Sequence, residues 1–224
     1  DTSSSGATVF VEPIGAVQAN NELKVLKAKE AAEIERILFE LSAEVGSFSE
    51  SLSRSYALAV ELGLIFSKAR LAYTMKASVP AVNEAGKINL KKARHPLIDP
   101  KQVVATDIVL GYQFDTLVIT GPNTGGKTVA LKTVGLLTLM TMCGLMIPVS
   151  DGSAVSLFDH VLADIGDEQS IEQSLSTFSA HMTNIIAILD EADNRSLVLL
   201  DELGAGTDPI EGAALAMAIL ENLR

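Results

Sequence analysis

Gly121-Pro-Asn-Thr-Gly-Gly-Lys-Thr128 stands between an apolar run, Leu117 to Thr120, and a helical run that starts at Thr128. This is the phosphate-loop pattern in the setting that gives it meaning: strand, glycine-rich turn, helix. Glycines let main-chain N–H groups turn toward phosphate oxygens, and the following helix offers the positive end of its dipole. Gly121, Pro122, Asn123, Thr124, Gly125 and Gly126 are the expected cradle. Lys127 would bring a point charge to the β and γ phosphates, and Thr128 a hydroxyl to Mg2+. The expected ligands are therefore ATP or ADP with Mg2+. A plain glycine turn beside a surface lysine would not require the flanking strand and helix.

A matching second half, Leu197-Val-Leu-Leu-Asp201-Glu202, follows about 75 residues later. An acid at the carboxyl end of a buried strand can hold Mg2+ directly or through water, which makes Asp201 the expected metal residue. Glu202 is the candidate for the group that polarises the attacking water. Strand ends are often merely solvated, so the pair takes its meaning from the loop upstream. Lys127 and Glu202 are the expected catalytic residues.

Two polar stretches lie between these motifs. One holds Gln169; the other, Ser174-Leu-Ser-Thr-Phe178, precedes a helix. Hydroxyl side chains there can cap the helix, or they can present donors to another molecule's γ phosphate. Residue type leaves both readings open for Ser176 and Thr177.

Working outward, apolar runs predict strands at Lys87–Leu90, Ala154–Phe158, His160–Asp164 and Ser196–Leu200. Helices are expected from Thr128, at Ala180–Asp190 and at Glu211–Leu220. Strands alternating with helices imply an α/β fold with a mostly parallel sheet, a P-loop ATPase domain over residues 86–224. Residues 1–85 read differently. A short strand, Thr8–Val11, leads into two helical patterns in which Leu23, Leu26, Ile34, Ile37 and Leu41 recur on one face, then Leu52, Tyr56, Ala59 and Leu62. Gly46 is a plausible stop between them, so a long antiparallel hairpin, a lever or connector, is expected.

Composition bounds the rest. The 224 residues are 48% hydrophobic, ample for a core, and carry a net charge of −11, which argues against a broad nucleic-acid footprint within this chain. The single cysteine, Cys143, excludes an intramolecular disulfide, and its apolar surroundings predict an inert core thiol. No basic, apolar leader opens the chain. Thr133 to Ser150 carries no charge and has the length of a membrane span. Three threonines, two glycines and Pro148 within it favour a buried helix running into a strand, so no membrane partner is expected, and a cytoplasmic location follows. His95 is expected to pack or cap near the nucleotide, His181 to be structural rather than catalytic, and His160 has no visible role.

Taken together, GPNTGGKT, the Ser-Thr-Phe segment, LVLLDELGAGT and the upstream ARHPLI resemble the MutS family of ABC-type ATPases. Those proteins dimerise and clamp nucleic acid. The likeness covers nearly the whole chain, the helical segment being similar to the lever of that family. The loop reads Asn-Thr-Gly-Gly-Lys-Thr where the mismatch-repair branch usually has Asn-Met-Gly-Gly-Lys-Ser. His181 stands where a glutamate is usual, and Asp208-Pro209 also departs from the repair branch. These features are similar to the second bacterial subfamily, which lacks the mismatch-reading domain.

The resemblance implies that Asn123 helps order the γ-phosphate side and that Gln169 is a switch-loop residue. It also implies that Ser176 and Thr177 contact the ATP of the partner subunit, so the protein would act as a homodimer. Val103 and Val104 align with the adenine-contacting segment, and the Gly204–Thr207 loop, followed by Asp208, would cross the dimer interface. A clamp of this subfamily implies suppression of recombination on branched or double-stranded DNA, or rescue of collided ribosomes, through parts of a parent protein outside this chain. The switch histidine of the next strand, the clamp and any nuclease appendage are also expected outside it. Competing readings are the ATPase of a mismatch-repair MutS, an ABC transporter subunit and a scaffold that binds nucleotide without turnover. A transporter would call for an LSGGQ-type signature, and intact Lys127, Asp201 and Glu202 speak against a scaffold.

Overall fold

The computed structural model describes residues 13–122, 125–166 and 174–223, without the side chains of residues 174–178 and 180. The expected strand Thr8–Val11 lies outside the described residues. The chain divides into two compact units, residues 1–64 and 65–224.

The first unit holds α1, Ile14–Ser47, and most of α2, Ser49–Met75. Strong helix formers fill α1, and Arg36 ties Glu33 and Glu40 on its surface through pairs three and four residues apart. The predicted antiparallel hairpin is not observed. No residue of α1 is buried, residues 49–66 are likewise exposed, and the two helices form no packed interface. The reason is local. Gly46 stays within α1 instead of taking the left-handed conformation that ends a helix. Phe48 sits at φ −104 and ψ 7, and its carbonyl accepts from the Leu52 amide at 2.9 Å. The backbone passes through the joint without the excursion a reversal needs.

The second unit is a sheet-and-helix body. One sheet has the order β1-β4-β2-β3, with β1 at Ala81–Asn83, β2 at Ile88–Ala93, β3 at Thr106–Leu110 and β4 at Ala154–Ser156. β1 runs parallel to β4, while β2 is antiparallel to both neighbours. The other sheet pairs β5, His160–Asp164, with β6, Ser196–Leu200, in parallel. The α/β class stands, but the described sheets are mixed rather than mostly parallel. The cause is that β2 and β3 are joined by a loop and not by a crossover helix, so they pair as a meander.

Ile88, Leu90, Leu137, Ile147, Val155 and Leu199 belong to one core that joins both sheets to α3, Lys127–Met142. Beyond Lys132 the helix carries no charge, in keeping with the burial of Thr133, Val134, Gly135, Leu137, Thr138 and Thr141. Gly135 of α3 meets Leu199 so closely that a Cβ there would lie 2.6 Å from the leucine Cδ1. Thr133 and Thr141 return their hydroxyls to the carbonyls of Val129 and Leu137. No described helix is long and apolar enough to cross a membrane.

Two further expectations change. Cys143 is exposed, because it caps α3 two residues beyond buried Thr141 and turns away from the buried face. Leu117–Thr120 forms no strand. Leu117, Val118 and Ile119 are 45%, 62% and 42% exposed, and β6 pairs only with β5 among the described strands. A short apolar run carries no periodicity that separates a paired strand from extended chain.

Candidate functional site

The loop that enters α3 is shaped by its glycines. Gly121 has φ 145 and Gly126 φ 75 with ψ 19, conformations that L side chains rarely adopt. Gly125 donates its amide to the Pro122 carbonyl at 2.9 Å, a tight turn closing on the helix start. Gly126 is the N-cap of α3 and makes no side-chain cap bond to that end. Lys127, the first helical residue, folds its ammonium back to donate to the Gly121 carbonyl, so the charge stands over the loop. Thr128 is half-buried beside it. Asn123 and Thr124 lie outside the described residues.

The acidic strand end is equally defined. The Asp201 amide donates to the Asp164 carbonyl at 2.9 Å, extending the β5–β6 ladder by one bond. The Glu202 amide donates to Asp201 Oδ1 at 3.1 Å. Glu202 itself has φ 50, a strained conformation for a residue with a side chain. The chain then turns through Gly204 and Gly206, at φ 80 and 83. A Cβ on Gly204 would lie 2.4 Å from the Gly212 carbonyl oxygen, so this loop is pressed onto α5, Pro209–Asn222. Asp208 caps that helix by accepting from the amides of Ile210 and Glu211 at 2.9 and 3.4 Å, with Pro209 in the first turn.

The other expected residues are less well placed. Gln169 lies outside the described residues. Ser176 and Thr177 fall in the first turn of α4, Ser174–Glu191, with their side chains outside the description. Val103 is half-buried and its amide donates to the Asp99 carbonyl, whereas Val104 is 82% exposed. His95 accepts from the Leu97 amide through Nδ1 at 3.3 Å, a contact within a local turn. Burial, and next the positive charge of Lys132 on α3, hold its pKa below the ordinary imidazole value. His160 lies 3.2 Å from the Glu191 carboxylate on the surface.

Asp164 and Asn184 were not singled out from the sequence. His181 Nδ1 donates to Asp164 Oδ2 at 2.8 Å, and Asn184 donates to Asp164 Oδ1 at the same distance. The available signals were an acid closing a strand parallel to the one that ends in Asp201, and a three-residue spacing that puts His181 and Asn184 on one helix face.

Among the described residues no three His, Cys, Asp or Glu side chains cluster as metal ligands. Mg2+ carried by a nucleotide needs no such cluster, since it takes few protein ligands and its remaining oxygens from phosphates and water.

Residues 117–224 match the family described as MutS domain V. An Endonuclease MutS2 of Caldanaerobacter subterraneus subsp. tengcongensis is 62% identical over 223 residues, covering 100% of this chain and 28% of that protein. A Putative endonuclease MutS2 of Bacillus subtilis is 60% identical over 223 residues with the same coverage. An Endonuclease MutS2 of Clostridium perfringens strain SM101 is 59% identical over 224 residues, again covering 100% and 28%. The chain thus spans about 28% of the length of the curated relatives it matches.

Proposed function

We propose, for a chain that belongs to the MutS family and is MutS2-like along its whole length, that residues 121–128 bind Mg-ATP and that the site hydrolyses it. The observation that carries this reading is the pair of left-handed glycines, Gly121 and Gly126, the second of which is the N-cap of α3 and has no side chain with which to cap it. The loop leaves the helix end to an anion, and Lys127 stands over it.

In this reading Lys127 neutralises the β and γ phosphates, and Thr128 and Asp201 hold Mg2+. The metal, when bound, would offset charge on the phosphate oxygens. Glu202 orients and polarises the attacking water, and its strained φ holds the carboxylate where relaxed extended backbone would not. Asn123, Gln169 and the soft Val103–Val104 segment complete the nucleotide contacts on one subunit, and Ser176 and Thr177 supply them from the other.

The module would then switch a homodimeric clamp between nucleotide states. Its targets, branched or double-stranded DNA or collided ribosomes, would be gripped by parts of the parent protein beyond this chain. Supporting that division of labour is the net charge of −11, which suits a motor better than a grip on phosphate backbone. The direct test is Lys127→Met, which keeps the stem and removes the charge. Affinity for a fluorescent ATP analogue should fall strongly; equal binding by wild type and variant would sink the assignment.

A further inference from the structure

Asp164 closes β5 and is only 6% exposed, yet it is engaged in three directions. Its carbonyl accepts from Asp201. Its two carboxylate oxygens accept from His181 and Asn184, each at 2.8 Å, and Asn184 also donates to the Ala163 carbonyl at 3.3 Å. The helix is therefore held to the strand end by two prongs. The grip needs clearance, because a Cβ on Gly166 would lie 2.6 Å from His181 Cε1. The ladder of β5 with β6 ends at the pair Asp164 and Leu200, so the next residue along β6 is Asp201 itself. A buried carboxylate is costly to strip of its donors, which makes the strand end and α4 move together.

We infer that His181 is a positioning residue: acting through Asp164, it fixes α4, whose first turn carries Ser176 and Thr177, against the main chain of Asp201, next to Glu202. The inference rests on the ATPase reading of those two acids. In this role His181 touches no nucleotide. It keeps the strand end that bears the hydrolytic acids in register with the helix that would reach the partner's ATP. What it must supply is one N–H donor at the place of Nδ1, with no proton transfer. That requirement separates it from both a packing residue and an acid–base group.

The test measures kcat and KM for ATP in the full-length protein, with binding of a fluorescent ATP analogue alongside. His181→Ala should lower kcat about tenfold or more, as misplacement of a catalytic group does, and leave analogue binding intact. His181→Asn places an amide N–H near the position of Nδ1 and should recover most of the loss. Gly166→Ala should lower kcat in the wild-type background, because its methyl drives the ring off Asp164. The same change should be nearly silent in His181→Ala, so the idea stays testable even if one variant folds poorly. Wild-type kcat in His181→Ala, alongside analogue binding that depends on Lys127, would overturn the inference alone. An Asn variant as impaired as Ala would also overturn it, by making the imidazole itself necessary. Binding indifferent to Lys127 would bring down the ATPase reading, and this inference with it.

Discussion

Gly135 on α3 and Leu199 on β6 leave no room between them for a methyl group, which would sit 2.6 Å from the leucine Cδ1. The helix that begins at Lys127 is thereby seated on the strand that runs into Asp201, two residues beyond Leu199. The two halves of the proposed site share one rigid contact.

Gly135→Ala tests that contact. Alanine favours a helix over glycine by about 1 kcal/mol, while overpacking a core costs about 1–3 kcal/mol. Leu199 is 5% exposed, so its side chain has little room to retreat. The net expectation is destabilisation of about 1 kcal/mol, deepened by Gly135→Val and relieved by adding Leu199→Ala. Urea midpoints of the single and double variants measure it. A stabilised Gly135→Ala would mean that α3 can slide on β6.

Glu202→Gln should separate binding from hydrolysis. The amide keeps the shape but cannot polarise water as a carboxylate does, so ATP should be held and turnover lost. Glu202→Gly should also lose turnover, yet raise stability by about 1 kcal/mol, since glycine adopts φ 50 without strain. Phosphate release and melting midpoints check the two effects separately. Unchanged turnover in the Gln variant would assign the water to another residue.

The elements most legible in the sequence were those with an unambiguous punctuation mark. β5 and β6 fall at the predicted residues because each is an apolar run bounded by polar turns and closed at an aspartate. α5 contains the expected Glu211–Leu220 and starts two residues earlier, at Pro209 after the Asp208 cap. The hairpin was not legible for a physical reason: an apolar stripe states that a helix wants a partner without naming it. The joint's conformation then depends on dihedrals that Gly46 permits but does not compel. Candidate site residues could be proposed by type, since glycine, lysine and paired acids are tied to their chemistry. The linkage of Asp164 with His181 and Asn184 could not, because it joins positions 17 and 20 residues apart that only the fold brings together.

His95 should give stability a pH dependence. Its folded pKa lies below the ordinary 6.5, because burial and then Lys132 oppose the charged form. A depressed pKa means that the unfolded chain takes up the proton first. The contribution is therefore complete above pH 6.5 and is lost as the pH falls through the lowered folded value. Protonation would also spend the Nδ1 lone pair that accepts from the Leu97 amide. His95→Asn retains an acceptor and cannot titrate, so its urea midpoint should fall less steeply between about pH 7 and pH 5. Superimposable profiles for variant and wild type would assign the proton uptake elsewhere.

The remaining prediction concerns where the site is completed. If Ser176 and Thr177 act across a two-fold interface, each active site draws on two chains. Lys127→Ala and Ser176→Arg should then each inactivate the full-length homodimer. In a mixed dimer both lesions fall into one site, and the other inherits an intact Lys127 and an intact Ser176. Random exchange of equal amounts makes about half the dimers mixed, which restores about a quarter of wild-type activity if the two sites fire independently. A site completed within one chain predicts no rescue, because every chain carries its own defect. The experiment mixes the two inactive proteins, confirms exchange by capture on an affinity tag, and measures phosphate release. Verified exchange without recovered activity counts against the shared site unless both sites must fire together. ATP binding by the mixed dimer decides that exception, since its one intact site should still hold nucleotide when turnover is blocked.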